Sequence, residues 1–171
     1  MKKRKSQAWS IDLFIGVAVI FIAIIIFYNY SLNLSKVDED NIAILINDAK
    51  TISNFLVDVG SPSNWTADDV STIGLMSYGK VINESKVSEF SDLVIADYPN
   101  SKKLLSSRSD YFVFFEDKAG NYIFINGIQG VGKSGVNQTN IYVSQDPNDV
   151  ISIYRFIIYR GDIIKLGVFV W

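Results

Sequence analysis

The chain has no cysteine and no histidine. Without cysteine there is no disulfide, no thiolate metal site and no cysteine nucleophile. Without histidine the commonest general base and metal ligand is missing. Catalysis would then rest on Asp, Glu, Lys, Ser or Tyr, and no Ser or Lys stands in a pattern pairing a nucleophile with its base. The composition therefore argues against an enzyme, and the sequence calls for no cofactor and no metal. Proline is scarce, three in 171 residues, and neither proline nor glycine falls between Val17 and Val59. A helix there meets no breaker. Charge of neither sign dominates: 16 Lys and Arg against 18 Asp and Glu give a net charge of −2. The cations gather at the N-terminus, and beyond Lys36 the chain is acidic. That disfavours nucleic acid as a partner, because phosphate binding needs a basic face.

What is present is a long apolar run, AWSIDLFIGVAVIFIAIIIFYNY, from Ala8 to Tyr30. Leu13 to Ser35 carries no charge over 23 residues, and roughly 20 suffice for a helix to cross a bilayer core. Ahead of it stand the cations Lys2, Lys3, Arg4 and Lys5. Basic residues before a span keep that flank cytoplasmic, so the rest of the chain is expected outside. A secretory h-region is shorter, about 7–15 residues, and ends at a small-residue cleavage site. Here Tyr28, Asn29 and Tyr30 follow the run instead. A retained membrane helix over residues 8–35 is expected, behind a basic cytoplasmic leader, residues 1–7. Asp12 sits just inside the apolar run, where a carboxylate is unfavourable unless it has a partner or reaches the interface.

The helix continues past the span. Ile42, Leu45, Ala49, Ile52, Leu56 and Val59 recur at three- and four-residue spacing. They form one apolar stripe, with Asp40, Asn47, Asp48 and Lys50 mostly off it. One helix from about Trp9 to Val59 is expected, ended by Gly60-Ser-Pro62. Residues 61–84 read as irregular, with one helical turn at Thr66–Asp69. Ser85–Asp97 reads as an amphipathic helix burying Val87, Phe90, Leu93 and Val94, capped by Asn83 and stopped before Pro99. Asn100–Ser107 adds a short helix. Then the period changes to that of strands: Tyr111–Glu116, Tyr122–Asn126, Thr139–Ser144, Val150–Arg160 and Ile163–Trp171. The last two join at Gly161-Asp162. Ile164, Leu166, Val168 and Val170 share one face. The fold class is α+β: a long N-terminal helix packed on an antiparallel sheet, with residues 36–171 as one outer domain of about 135 residues, an ordinary domain size.

The head of the chain and this architecture together resemble type IV pilins, the archaeal pilin-like proteins in particular. Lys5-Ser6-Gln7-Ala8-Trp9-Ser10-Ile11-Asp12-Leu13 carries the likeness: a short basic leader, a small residue before the cut, then an apolar helix with one acid near its start. The resemblance implies a class III-type signal cut by a prepilin-type peptidase between Ser6 and Gln7. Family members usually have Gly or Ala before the cut and the acid fifth in the mature chain; Asp12 is sixth after a cut at Ser6–Gln7 and fifth after one at Gln7–Ala8. The resemblance further implies assembly with other pilin-like subunits, with Asp12 pairing with a neighbour's new N-terminal amine, and a cell-membrane or surface-filament location. The alternative expectation is a single-pass, membrane-anchored binding or adhesion protein that forms no filament.

Four further motifs are weighed. Gly127-Ile-Gln-Gly-Val-Gly-Lys-Ser134 matches a phosphate-binding loop letter for letter. Such a loop needs a helix starting at Lys-Ser, and Gly135-Val-Asn-Gln-Thr-Asn140 is turn chemistry. A glycine-rich sheet loop that binds no nucleotide is expected. Asn-x-Ser/Thr occurs at Asn29, Asn33, Asn64, Asn83 and Asn137. The first two lie near the bilayer, which leaves Asn64, Asn83 and Asn137 as candidate glycan acceptors. Asp38-Glu39-Asp40 reads as a solvated helix face. Asp146-Pro-Asn-Asp149 reads as a turn and lacks the spacing of a calcium loop.

Overall fold

The structure, a computed structural model, describes residues 5–144 and 150–171; the side chains of residues 5–11, 32–40, 142 and 144 lie outside the described set. The chain divides into two compact units, Met1–Ile42 and Ala43–Trp171. Helix α1, Lys5–Leu56, contributes 52 residues to both. Its regular part ends three residues before the expected Val59.

In the first unit, Asp12–Ser31 is a 20-residue segment long and apolar enough to cross a membrane. At about 1.5 Å per residue it spans about 30 Å, the thickness of a hydrocarbon core. Phe14, Phe21, Ile26 and Phe27 are all exposed, so the segment is apolar all round rather than along one stripe.

In the second unit the same helix has a buried stripe. Ala49, Ile52 and Leu56 are fully buried and Leu45 partly so. Burying Ile52 or Leu56 contributes about 1.5–3 kcal/mol each relative to exposure. A later segment hydrogen-bonds to the end of the helix: Leu75 N–H donates to Leu56 O at 3.1 Å and Met76 N–H to Asp58 O, just beyond it, at 3.0 Å. This close crossing requires glycine. A Cβ on Gly74 would strike the Gly60 backbone, and Gly60 itself has φ +80°. Trp65 locks the corner by donating its indole N–H to Gly74 O at 2.9 Å.

Residues 61–82 are otherwise irregular, with a bridge between Ser61 and Thr72 and a 3-10 turn at Tyr78–Lys80. Thr66–Asp69 forms a turn closed by the Asp69 carboxylate on Thr66 N–H at 2.6 Å. Helix α2 is Glu84–Ala96, capped by Asn83 and burying Val87, Phe90, Leu93 and Val94 as expected. Helix α3 is Tyr98–Leu104 and starts earlier than expected. Asp97 caps it by accepting from Asn100 N–H at 3.0 Å, and Pro99 sits in its first turn, where a missing N–H costs nothing.

Among the described residues the sheet has four strands, ordered β2-β1-β4-β3, all antiparallel. These are β1 Tyr111–Glu116, β2 Gly130–Gly132, β3 Ile151–Tyr159 and β4 Asp162–Val170. Ile164, Leu166, Val168 and Val170 do share a face, with Tyr111, Val113 and Phe115 beside them, and this face joins Ala49, Ile52 and Leu56 in the main core. The opposite face carries a smaller core of Phe112, Phe114 and Phe169 under Val136 and Ile141. The Phe114 and Phe169 rings pack with their centres 4.6 Å apart, tilted by 37°. Phe114 has room because β4 carries glycine at 167, where a Cβ would enter its ring.

Three expectations are corrected. Tyr122–Asn126 is not a strand. It makes single bridges, Glu116 to Tyr122 and Ile125 to Ile128, and turns back at Asn126 (φ 50°) and Gly127 (φ +80°). An Asn-Gly pair with both φ positive is the preferred two-residue hairpin turn. Thr139–Ser144 is not a strand either. Asn137 opens a turn that leads into the four-residue helix α3's successor, α4, Ile141–Ser144, whose Ile141 is fully buried. The final hairpin turns at Arg160 (φ 50°) and Gly161 (φ +89°), because Tyr159 pairs with Asp162.

Candidate functional site

The strongest candidate site is the apolar segment and the carboxylate at its start. Asp12 lies in α1 and is exposed. Among the described residues it has no hydrogen-bond or ion-pair partner. Helix periodicity sets it beside Ile15 and Gly16, which lie one turn on. Ser6 and Gln7 are helical, and their side chains lie outside the described residues.

The glycine-rich motif does something other than cradle phosphate. Gly130-Val-Gly132 is strand β2, paired with Phe112, Val113 and Phe114 of β1. A Cβ on Gly132 would strike the Tyr111 carbonyl, and one on Gly130 would strike the Phe112 ring. The glycines thus allow close strand packing. No helix begins at Lys133-Ser134. Lys133 N–H donates to Tyr111 O at 3.0 Å, its ammonium pairs with Asp110, and it lies 5.9 Å from the Trp171 ring centre. Lys102 holds the other Asp110 oxygen at 2.9 Å. Burial pushes the Asp110 carboxyl up, but Lys133 and Lys102 outweigh it and leave its pKa below the ordinary value. An open cleft of about 470 Å³ lies here, lined by Tyr98, Pro99, Lys102, Lys103, Asp110 and Lys133. Lys102 and Lys133 share the single Asp110 carboxylate, which leaves the cleft with an excess of positive charge.

Two buried charges were not legible as such. Asp48 was placed off the apolar stripe, yet it is only 5% exposed. Its Oδ2 accepts from Ser107 Oγ, Arg108 N–H, Ser109 N–H and Ser109 Oγ at 2.8–3.2 Å. Burial raises its pKa, but these bonds overcome that and lower it. The signal available was the Ser-rich run Ser106-Ser-Arg-Ser109, which is loop chemistry waiting for an acceptor. Lys86, also buried, donates to Val59 O and Met76 O. It ties α2 to the corner that follows α1 and to the segment around Met76. Burial lowers its pKa, with Asp58 opposing.

The sequons differ. Asn29 donates Nδ2 back to Ile25 O at 2.9 Å, and the Asn33 side chain lies outside the described residues. Asn64 and Asn137 are exposed, and Asn83 is half-buried as the α2 cap. Among the described residues no cluster of three His, Cys, Asp or Glu side chains could hold a metal. The Asp146–Asp149 turn and the Asp38–Asp40 side chains lie outside those residues. In comparisons with protein-family models, curated proteins and solved structures, nothing matches the chain.

Proposed function

We propose that the chain is a pilin-like structural subunit, anchored and assembled through its N-terminal helix into a surface filament or related assembly, with residues 36–171 outside the cell. The observation that carries the reading is the build of α1: an apolar segment of bilayer length with a carboxylate at its first residue, in the same helix as a stripe buried in an α+β unit. A carboxylate at the centre of a span costs about 2.5–3.5 kcal/mol on insertion scales, and less near its edge. A solitary anchor gains nothing from it. Among packed helices of Ile, Val and Phe, which offer little directional preference, one charge pair fixes the axial register. Leader removal by a prepilin-type peptidase at Ser6–Gln7, or one residue later, would supply the matching ammonium.

The test is the mass of the mature N-terminus in protein from its native membrane. The proposal expects loss of a leader of six or seven residues. Protein that retains Met1 or Lys2 throughout favours the lone-anchor alternative, an anchored binding or adhesion protein.

A further inference from the structure

We infer that Asn137 is the protein's N-glycan acceptor and that Asn64 and Asn83 are not. The inference rests on the exterior placement proposed above. In the transfer, Asn137 Nδ2 attacks the anomeric carbon of a lipid-linked sugar phosphate or pyrophosphate. An N–C bond forms, the C–O bond to phosphate breaks, and the phosphate leaves with the electron pair. One Nδ2 proton passes to a base of the membrane transferase. Nothing is oxidised or reduced.

The side-chain geometry of Asn137 leaves the nucleophile open. Its Oδ1 accepts from Thr139 N–H at 2.9 Å, Thr139 Oγ1 at 2.7 Å and Asn140 N–H at 2.9 Å. All three bonds fall on the oxygen. Nδ2 donates to nothing among the described residues, and Asn137 and Thr139 are both exposed. A glycosylated amide keeps its carbonyl, so the turn survives modification.

The backbone around Asn137 is held by packing and local bonds: Val136 and Gln138 on either side are buried, and Gln138 Nε2 has no hydrogen-bond partner among the described residues. Lys133 N–H to Tyr111 O is its last backbone tie to the sheet. From Ser134 to Asn140 the bonds are local: Val136 N–H to Lys133 O, Asn137 N–H to Asn140 Oδ1, and Asn140 Nδ2 to Gly135 O. A transferase must draw its acceptor into an extended groove, and loops held by local bonds open most readily.

The other two sequons are bolted to neighbouring segments. At Asn83, the preceding Ile82 N–H donates to Ile158 O and Asn83 N–H to Leu75 O, both at 2.9 Å. Its carboxamide caps α2 through Ser85 and Lys86. At Asn64, the middle residue of the sequon is Trp65, which is buried and bonded to Gly74. Drawing out Asn83 breaks backbone bonds to two other segments, and drawing out Asn64 breaks the Trp65 bond to Gly74.

The experiment is glycopeptide mass spectrometry on full-length protein purified from its native cells. Wild type, Asn137→Asp and Thr139→Ala are compared, with protease digestion of intact cells alongside. Asn137→Asp keeps the Oδ1 acceptor and so keeps the turn. The expected result is a glycan mass on the Asn137 peptide alone, lost in both variants. A bare Asn137, or a glycan on Asn64 or Asn83, overturns the inference. If Asn137 is bare while intact cells yield a digested domain, only the acceptor assignment fails. If intact cells protect the domain as well, the exterior placement fails with it.

Discussion

Ser109 reaches the Asp48 carboxylate twice, with its backbone N–H at 3.0 Å and its hydroxyl at 2.8 Å. One carboxylate oxygen thus holds the entry to the central sheet against α1. Hydrogen bonds to a charged group contribute about 1.5–3 kcal/mol, and Asp48→Ala would also orphan the donors of residues 107–109. A loss of at least that size is expected for Asp48→Ala, measured as urea unfolding of the full chain in detergent. A change under about 0.5 kcal/mol, the range of ordinary surface substitutions, would show that the cluster carries no stability.

The same carboxylate predicts a pH dependence. Its folded-state pKa lies below the usual value, so the folded state binds the proton less readily than the unfolded one. The stability it gives is complete above the unfolded value of about 3.9 and is lost as pH falls through the folded value. Unfolding free energy should therefore drop steeply below about pH 4. Asp110, lowered mainly against burial by Lys133 and Lys102, adds to the same limb. Asp48→Asn should flatten that drop. An unchanged acid limb in Asp48→Asn would assign the dependence to other groups.

Lys133 and Gly132 separate a strand from a phosphate loop. Lys133→Ala should cost about 1 kcal/mol or less, as partly exposed ion pairs do, and wild type should show no ATP binding for it to remove. Gly132→Ala should cost more, about 1–3 kcal/mol, because the added methyl overpacks against β1. Titration calorimetry with ATP and thermal unfolding check both halves. ATP binding that Lys133→Ala abolishes would reverse the assignment.

The main architecture was legible because it rests on period and capping. The stripe at Ala49, Ile52 and Leu56, the Asn83 cap, and the alternation Ile164, Leu166, Val168, Val170 are local patterns, and tertiary packing agrees with them. The misreadings came where local signals competed. Tyr122–Asn126 is rich in β-formers, yet Asn126-Gly127 is a stronger hairpin signal and folds the run back on itself. β2 was hidden because two of its three residues are glycine, chosen for close approach to β1 rather than for strand propensity. Thr139–Ser144 has strand composition, but Asn137 turns the chain and Ile141 plugs the lesser core. Asp48 was illegible as a buried charge because its partners lie 59–61 residues away.

The two stretches of α1 should answer the same substitution differently. Ile52 is fully buried in the main core, and Ile52→Ala should destabilise by about 2–5 kcal/mol. Ile20 is exposed within the apolar segment, and Ile20→Ala should leave domain unfolding unchanged. Circular dichroism melts in detergent distinguish them. Equal losses would mean that Ile20 is part of the folded domain's core.

The central claim is assembly through Asp12, and Asp12→Asn tests it most directly. The substitution keeps the shape of the side chain and removes its charge. Recovery of sheared surface filaments, or crosslinked higher species in native membranes, is compared between wild type and variant at equal membrane levels. The account predicts normal insertion, a normally folded domain and a loss of assembly of tenfold or more, the effect of about 1.4 kcal/mol per subunit contact. Equal assembly by wild type and Asp12→Asn, or a wild type that is strictly monomeric in its native membrane, would contradict it.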